Sequence, residues 1–490
     1  MLFNSYIFVL LFLPLCLIGY FTLNHFKLYK VAQVYLLGMS LWFYGYFNAY
    51  YLWIIVFSIG MNYLLYRGMC RWAEQRIRKA FMFAGVLINV GVLFYFKYFD
   101  FFLENINAVF KTDFMLKNIL LPLGISFFTF QQISFIIDIY KKEVLSYSLL
   151  DYACFVTFFP QLIAGPIVSH HELVPQFMDV AKKKFQWDNM APGIYLFVLG
   201  LGKKVLLADN LGKAVNYGFL VQQSLNATDS VLVMLAYTLQ IYFDFSGYCD
   251  MAIGIGRMFN IDLPLNFNSP YKATTIKEFW DRWHMTLTRF LTKYIYIPLG
   301  GNRKGAVRTC LNMFIVFLVS GFWHGANWTF VLWGACHGVA SVLNRVFDKY
   351  ISKIPKCIKW LVTFIFINFT WLIFRADSIQ QAFAMMNNIF TGGFGRVSHG
   401  LAKSMCMPET DKIEMLFLKV TGMDLPTVCQ EWVLIVFVVL GLLLLAGKKN
   451  AYEEMKSFQP TMGRMFLAFI IFIWCVLSFS GVSTFLYFNF

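Results

Sequence analysis

The chain has 490 residues, of which 59% are hydrophobic, 19% aromatic and 14% charged, and its formal net charge is +15. A soluble chain of this length would divide into about three domains, but the apolar runs are too long and too numerous for soluble cores, so one integral membrane domain over residues 1–490 is the reading. The basic surplus does not point to nucleic acid, because lysines and arginines fall in short loops between apolar runs, as the positive-inside rule expects.

Ten scattered cysteines form no CxxC pair and no Cys/His cluster, so neither a zinc site nor a disulfide framework is supported. The first 25 residues lack a basic leader and a small-residue cleavage site, which predicts an uncleaved anchor. Tyr6 to Leu23, Val31 to Tyr46 and Tyr51 to Tyr66 read as the first three spans. Arg67, Arg71, Arg76, Arg78 and Lys79 form the densest basic loop of this half. That loop is predicted to be cytoplasmic, with the N-terminus outward. Ala80 to Phe96 then exits, and Lys97 to Asp113 is expected to be an outer loop.

Leu116 to Tyr140 returns to Lys141 and Lys142. Leu149 to Val168 contains Pro160, Gly165 and Pro166 and reads as re-entrant, a geometry tolerated only when the backbone is shielded from lipid. Ile194 to Ala208, with Lys203 and Lys204, reads as a short membrane-edge helix; its GLGKK lacks the phosphate-loop spacing. Val231 to Phe259 carries Asp244 and Asp250 among aromatics, as a paired structural group or as part of a polar path. Lys272 to Arg308 is predicted to be amphipathic: Lys277, Asp281, His284 and Thr288 recur at spacings of 4, 3 and 4 on one helical face. Arg303, Lys304 and Arg308 follow as an orientation signal, and Arg303 and Lys304 are also weak candidates for meeting a phosphate-bearing donor.

Thr309 to Gly334 is apolar, carries no charged residue after its start and holds His324 near its middle, flanked by Gly321 and Gly325. Arg345 to Lys359 is a basic loop, and Trp360 to Phe374 is a span. Asp377 or Ser378 can cap a helix with an apolar stripe of Ile379, Phe383, Met386 and Phe390. Residues 391–430 read as a polar loop region without an assigned role. Val433 to Leu445 and Met465 to Phe479 are the last spans, and Phe485 to Phe490 an aromatic interfacial tail. The fold class is therefore all-α: about eleven transmembrane or re-entrant helices.

There is no GxSxG elbow, no HExxH and no dinucleotide fingerprint, which leaves the seven histidines as the main chemical candidates. His25 and His399 lie in apparent loops, and His337 is expected near the membrane edge in a packing role. His170 and His171 could bind a metal, but no third ligand is visible, and no metal is assigned. His284 and His324 remain, and they could converge on one buried site.

EFWDRWHMTLTRFLTKYIYIPLGGNRKG (Glu278 to Gly305) and GFWHGANWTFVLWGACHG (Gly321 to Gly338) closely resemble the membrane-bound O-acyltransferase family, in the branch of the alginate O-acetylation membrane subunit. Further likeness runs through GISFFTFQQISFIIDIY (Gly124 to Tyr140), FPQLIAGPI (Phe159 to Ile167), KKVLLADNL (Lys203 to Leu211), YFDFSGYCDMAIGIGRMF (Tyr242 to Phe259), NFNSPY (Asn266 to Tyr271) and NFTWLIFRA (Asn368 to Ala376), with a motif core over about 120–340. The resemblance implies a helical bundle around a central tunnel, with His324 as the principal catalytic residue and His284 as its second. It implies no tightly bound cofactor but an acyl thioester substrate, acetyl-CoA or an acyl carrier. It further implies a bacterial inner-membrane location, an extracytoplasmic SGNH-type O-acetyltransferase as partner, and O-acetylation of a surface polysaccharide. A D-alanyl transferase of teichoic acids and a non-enzymatic transporter of lipid-linked sugar are the alternatives.

Overall fold

The structure is a computed structural model that describes residues 1–143, 146–405, 415–416, 418–422, 427–479 and 486. Among the described residues there is no strand. Six helices among the described residues are long and apolar enough to cross a membrane: Phe8–His25, Tyr50–Arg71, Gln75–Phe110, Trp187–Leu220, Ala306–His324 and Lys356–Arg375. The shorter apolar helices Ile125–Tyr140, Trp432–Ala446 and Met462–Leu477 accompany them. Trp53, Phe57, Leu64 and Leu87 are at least two-thirds exposed, which suits a surface solvated by lipid tails.

The helix Ala227–Met258 is the axis of the bundle and is buried along most of its length. It packs against Trp187–Gly202 through two glycine pairs. A Cβ on Gly254 would lie 2.7 Å from the Gly193 carbonyl oxygen, and one on Gly247 2.7 Å from that of Gly200. Each helix thus presents glycines seven residues apart on one face, and the backbones approach as only small residues permit. Helices Ala306–His324 and Trp328–Val346 meet the same way: a Cβ on Gly321 would lie 2.3 Å from the Phe330 carbonyl oxygen.

Several sequence expectations need correction. The predicted outer loop from Lys97 to Asp113 is helical through Phe110, continuing the preceding span across a π turn, Phe94–Tyr98. The span expected from Leu116 begins only at Ile125. Before it, the Asp100 carboxylate accepts from the Lys117 and Ile119 amides at 2.8 and 3.1 Å, which ties this irregular stretch to the preceding helix. Ile194 to Ala208 is not a short edge helix. It is the middle of a 34-residue helix, and Lys203 and Lys204 lie inside the bundle. Lys203 pairs with Asp250 at 2.6 Å, and Lys204 with Asp209 at 2.7 Å and Asp244 at 2.6 Å. The two acids of the axial helix therefore have the structural reading, each paired with a lysine of its neighbour.

Leu149 to Val168 is broken and shielded, as the re-entrant expectation requires of its backbone. Two short helices, Leu149–Thr157 and Phe159–Leu162, lead into an irregular stretch, and residues 152–168 are all buried. Ser378 caps the helix Ile379–Thr391, accepting from the Gln381 amide. Of its apolar stripe, Phe383 and Phe390 are exposed and Met386 is half-buried against the core, where Ala382 and Met385 are buried. Within 391–430 the structure shows the short helix His399–Ser404, while 406–414, 417 and 423–426 lie outside the described residues, as does the aromatic tail apart from Leu486.

Candidate active site

The predicted amphipathic helix is broken at the residue that matters. Ile276–Arg282 is capped by Thr275, whose side chain accepts from the Glu278 amide. Trp283 is extended, His284 is left-handed at φ 47°, and Met285–Leu291 starts a new helix. A left-handed non-glycine residue is strained and persists only where its surroundings hold it. Here Asn266 does so: its backbone oxygen accepts from the Met285 amide at 3.0 Å, and its Oδ1 accepts from the Thr286 amide at 3.2 Å and the Thr286 hydroxyl at 2.9 Å. The break also corrects the one-face reading. Lys277, Asp281 and Thr288 line an open cavity, while His284 turns inward and is fully buried.

The same Asn266 Oδ1 lies 3.1 Å from His284 Nδ1. An oxygen already accepting from a backbone amide is the carbonyl end of its side chain, so Nδ1 must carry the proton. That leaves the lone pair on Nε2, which has no hydrogen-bond partner among the described residues. Burial pushes the imidazole pKa down to about 3, so His284 is neutral across the physiological range.

His324 is the last residue of Ala306–His324 and is 3% exposed. Its ring centroid is 6.4 Å from that of His284. Two motifs forty residues apart thus meet in one chamber, walled by Trp323, Trp333 and Phe374 around His324 and by Phe245 against His284. Burial in aromatic surroundings keeps water out and strengthens polar interactions inside.

Two cavities flank this chamber. One of about 600 Å³ extends along the helix from Met313 to Ser320 and is rimmed by Lys277, Asp281, Arg345 and Asp348. The other, about 40 Å³, lies at the helix's C-terminal end and is lined by Lys97, Gly124, Ser126, Trp323 and His324. Arg303 and Lys304 sit in the turn after Gly300 and are not part of the large cavity's lining. Asn327 is committed as a cap: its Oδ1 accepts from the Thr329 amide and its Nδ2 donates to the Asp377 carbonyl, each at 3.0 Å.

Three other histidines behave differently from expectation. His337 is not interfacial but fully buried: its Nδ1 accepts from Trp280 Nε1 at 3.2 Å, and its Nε2 lies 3.1 Å from the Thr370 hydroxyl. His170 and His171 do have a third neighbour of ligand type, Asp138, with all three ligand atoms within 4.8 Å. Its carboxylate is already engaged by the Lys293 ammonium at 3.0 Å and the Tyr294 hydroxyl at 2.8 Å, and a lysine cation beside it opposes a metal ion. The cluster joins three chain segments. Sequence reasoning did not single out Asn266 or Lys97; Asn266 stood in a recognised motif but with no role attached.

Comparison with known proteins places these motifs. The profile of the membrane-bound O-acyltransferase family matches residues 140–379. The chain is 39% identical to a peptidoglycan O-acetyltransferase of Helicobacter pylori, over 100% of this chain and 98% of the relative. It is 38% identical to a probable alginate O-acetylase of Pseudomonas aeruginosa, over 81% of this chain and 76% of the relative. A teichoic acid D-alanyltransferase of Bacillus subtilis is more distant, at 27% over 65% of this chain and 82% of the relative.

Proposed function

The chain belongs to the membrane-bound O-acyltransferase family and is a multi-pass membrane acyltransferase, and from that premise we propose that it passes an acetyl group from a cytoplasmic thioester across the membrane for O-acetylation of an extracytoplasmic glycan. The observation that carries this reading is the meeting of His284 and His324, 6.4 Å apart by ring centroid, between two cavities. The large cavity is the donor side. Its rim mixes Lys277 and Arg345 with Asp281 and Asp348, and its inner end reaches Ser320, one helical turn from His324. The small cavity at His324 is the acceptor side.

In this mechanism the acceptor hydroxyl attacks the thioester carbonyl while His324 takes its proton. The tetrahedral intermediate collapses, the carbon–sulfur bond breaks, and the leaving sulfur receives that proton, giving an O-acetyl ester and a free thiol. His284, with its lone pair at Nε2, stabilises the imidazolium that forms on His324 when it takes the proton. With its proton fixed on Nδ1, it is not a donor to the developing oxyanion at Nε2. The full-length similarity to a peptidoglycan O-acetyltransferase favours a cell-wall glycan as acceptor over alginate. The basic loops support an inner-membrane protein with its N-terminus outward. An extracytoplasmic SGNH-type transferase that receives the acetyl group is the partner this reading expects.

His324→Ala should remove base-labile acetate from the cell-wall glycan while leaving the amount of membrane-inserted protein unchanged. Acetate at the wild-type level in that variant would refute the assignment. D-alanine rather than acetate as the ester-linked group would favour the teichoic acid reading.

A further inference from the structure

Lys97 ends an apolar run and looks like the first residue of a loop, yet its ammonium donates to the carbonyl oxygens of Trp323 at 2.7 Å and His324 at 2.9 Å. Beside it, the Tyr98 hydroxyl donates to the Phe322 carbonyl at 2.9 Å, and the Tyr98 and Phe322 rings stack at 4.3 Å. The last carbonyls of a helix have no partner inside the helix. After His324 the chain turns away through an extended Gly325, so three successive carbonyls of this helix end are capped from another helix. Both capping residues belong to the π turn Phe94–Tyr98, a deviation that recurs at functional sites. The same face continues to Phe101, whose ring is 5.9 Å from that of Trp328, and to Asn105, which accepts from Trp328 Nε1 at 3.0 Å. Helix Gln75–Phe110 thus grips the whole turn around His324. A cation at a helix C-terminus is favourable, and an ionisable group at membrane depth is costly unless it has work there.

We propose that Lys97 is a positioning residue for His324, holding the end of the His324 helix so that the imidazole faces the chamber. This rests on the catalytic reading of His324. Lys97 lines the small cavity together with His324, so the cap and the base share one wall of the acceptor side.

The test uses membranes carrying the full chain, with radiolabelled acetyl-CoA as probe donor, and follows base-labile label on the glycan fraction. Lys97→Met keeps the stem and removes the donors; it should lower kcat by about a hundredfold, the scale of a small misplacement of a catalytic group. KM for the probe and the amount of folded protein should stay at wild-type values. Lys97→Arg keeps the donors and should recover most of the rate. Wild-type kcat in Lys97→Met, or a loss explained wholly by less folded protein, would overturn the positioning role. Loss of transfer in His324→Ala alongside a wild-type Lys97→Met overturns this inference alone. Wild-type transfer in His324→Ala overturns the catalytic reading and this one with it.

Discussion

The Oδ1 of Asn266 sits 3.1 Å from Nδ1 of His284 and also accepts from the Thr286 amide, so one side-chain oxygen sets both the tautomer of the histidine and the start of the helix that follows it. A residue eighteen positions upstream therefore decides which imidazole nitrogen is available for chemistry. Asn266→Ala should cost about 1–3 kcal/mol through the buried donors left unpaired. It should also lower acetyl transfer per folded molecule, because Nδ1 then has no fixed acceptor. Melting in detergent and ester acetate normalised to folded protein read the two effects separately; unchanged transfer in a folded variant would mean that the tautomer is held by something else.

His284 has two roles that a substitution can separate. Its backbone is left-handed at φ 47°, and its Nε2 presents a lone pair. Asn tolerates that backbone better than most residues but has no equivalent of Nε2. His284→Asn should accumulate and melt like wild type yet lose transfer by about a hundredfold or more, within the range for a lost acid–base partner. His284→Val should fail at folding, since a β-branched side chain at positive φ is strained. Equal accumulation of the two variants would show that the left-handed turn is not a constraint.

The convergence of His284 and His324 and the helical membrane architecture are legible because a buried imidazole stands out in apolar sequence and motif likeness spans the chain. The helix break is not. Periodicity places Lys277, Asp281, His284 and Thr288 on one face, and only Asn266, from another part of the chain, turns His284 inward. Lys97 looks like a loop residue in the sequence for a related reason: its partners, the Trp323 and His324 carbonyls, lie more than two hundred residues away. Hydropathy scores each charge alone and so puts Lys203 and Lys204 at the membrane edge. Their neutralising partners Asp244 and Asp250 are some forty residues on, across the glycine-paired interface.

That interface gives its own prediction. A Cβ on Gly254 would lie 2.7 Å from both the Gly193 carbonyl oxygen and the Phe197 amide nitrogen, and these are backbone atoms that cannot swing aside. Overpacking costs about 1–3 kcal/mol in a core, and more where rigid backbone blocks relaxation. Gly254→Val should sharply reduce the amount of inserted protein, whereas Gly60→Ala, with no atom within 4 Å of the added carbon, should leave it unchanged. Immunoblots of membranes compare them, and equal amounts would mean that the two helices can separate without loss.

Lys204 stands between Asp209 and Asp244, at 2.7 and 2.6 Å, with all three side chains almost wholly buried. Removing the lysine leaves two carboxylates facing each other without a countercharge, and breaking a buried pair from one side costs about 3–5 kcal/mol. Lys204→Met should therefore depress accumulation and lower the melting temperature. The loss belongs to the stranded charges more than to the missing attraction, so neutralising them should reverse it. Lys204→Met combined with Asp209→Asn and Asp244→Asn should recover much of the lost protein, because a buried ion cluster exchanged for neutral groups of similar volume is often no less stable. None of the three side chains lines either cavity beside the histidines, so the recovered protein should transfer acetyl at a rate per molecule close to wild type. Recovery of fold without recovery of transfer would instead place this cluster in the reaction path, as a relay rather than a fastening.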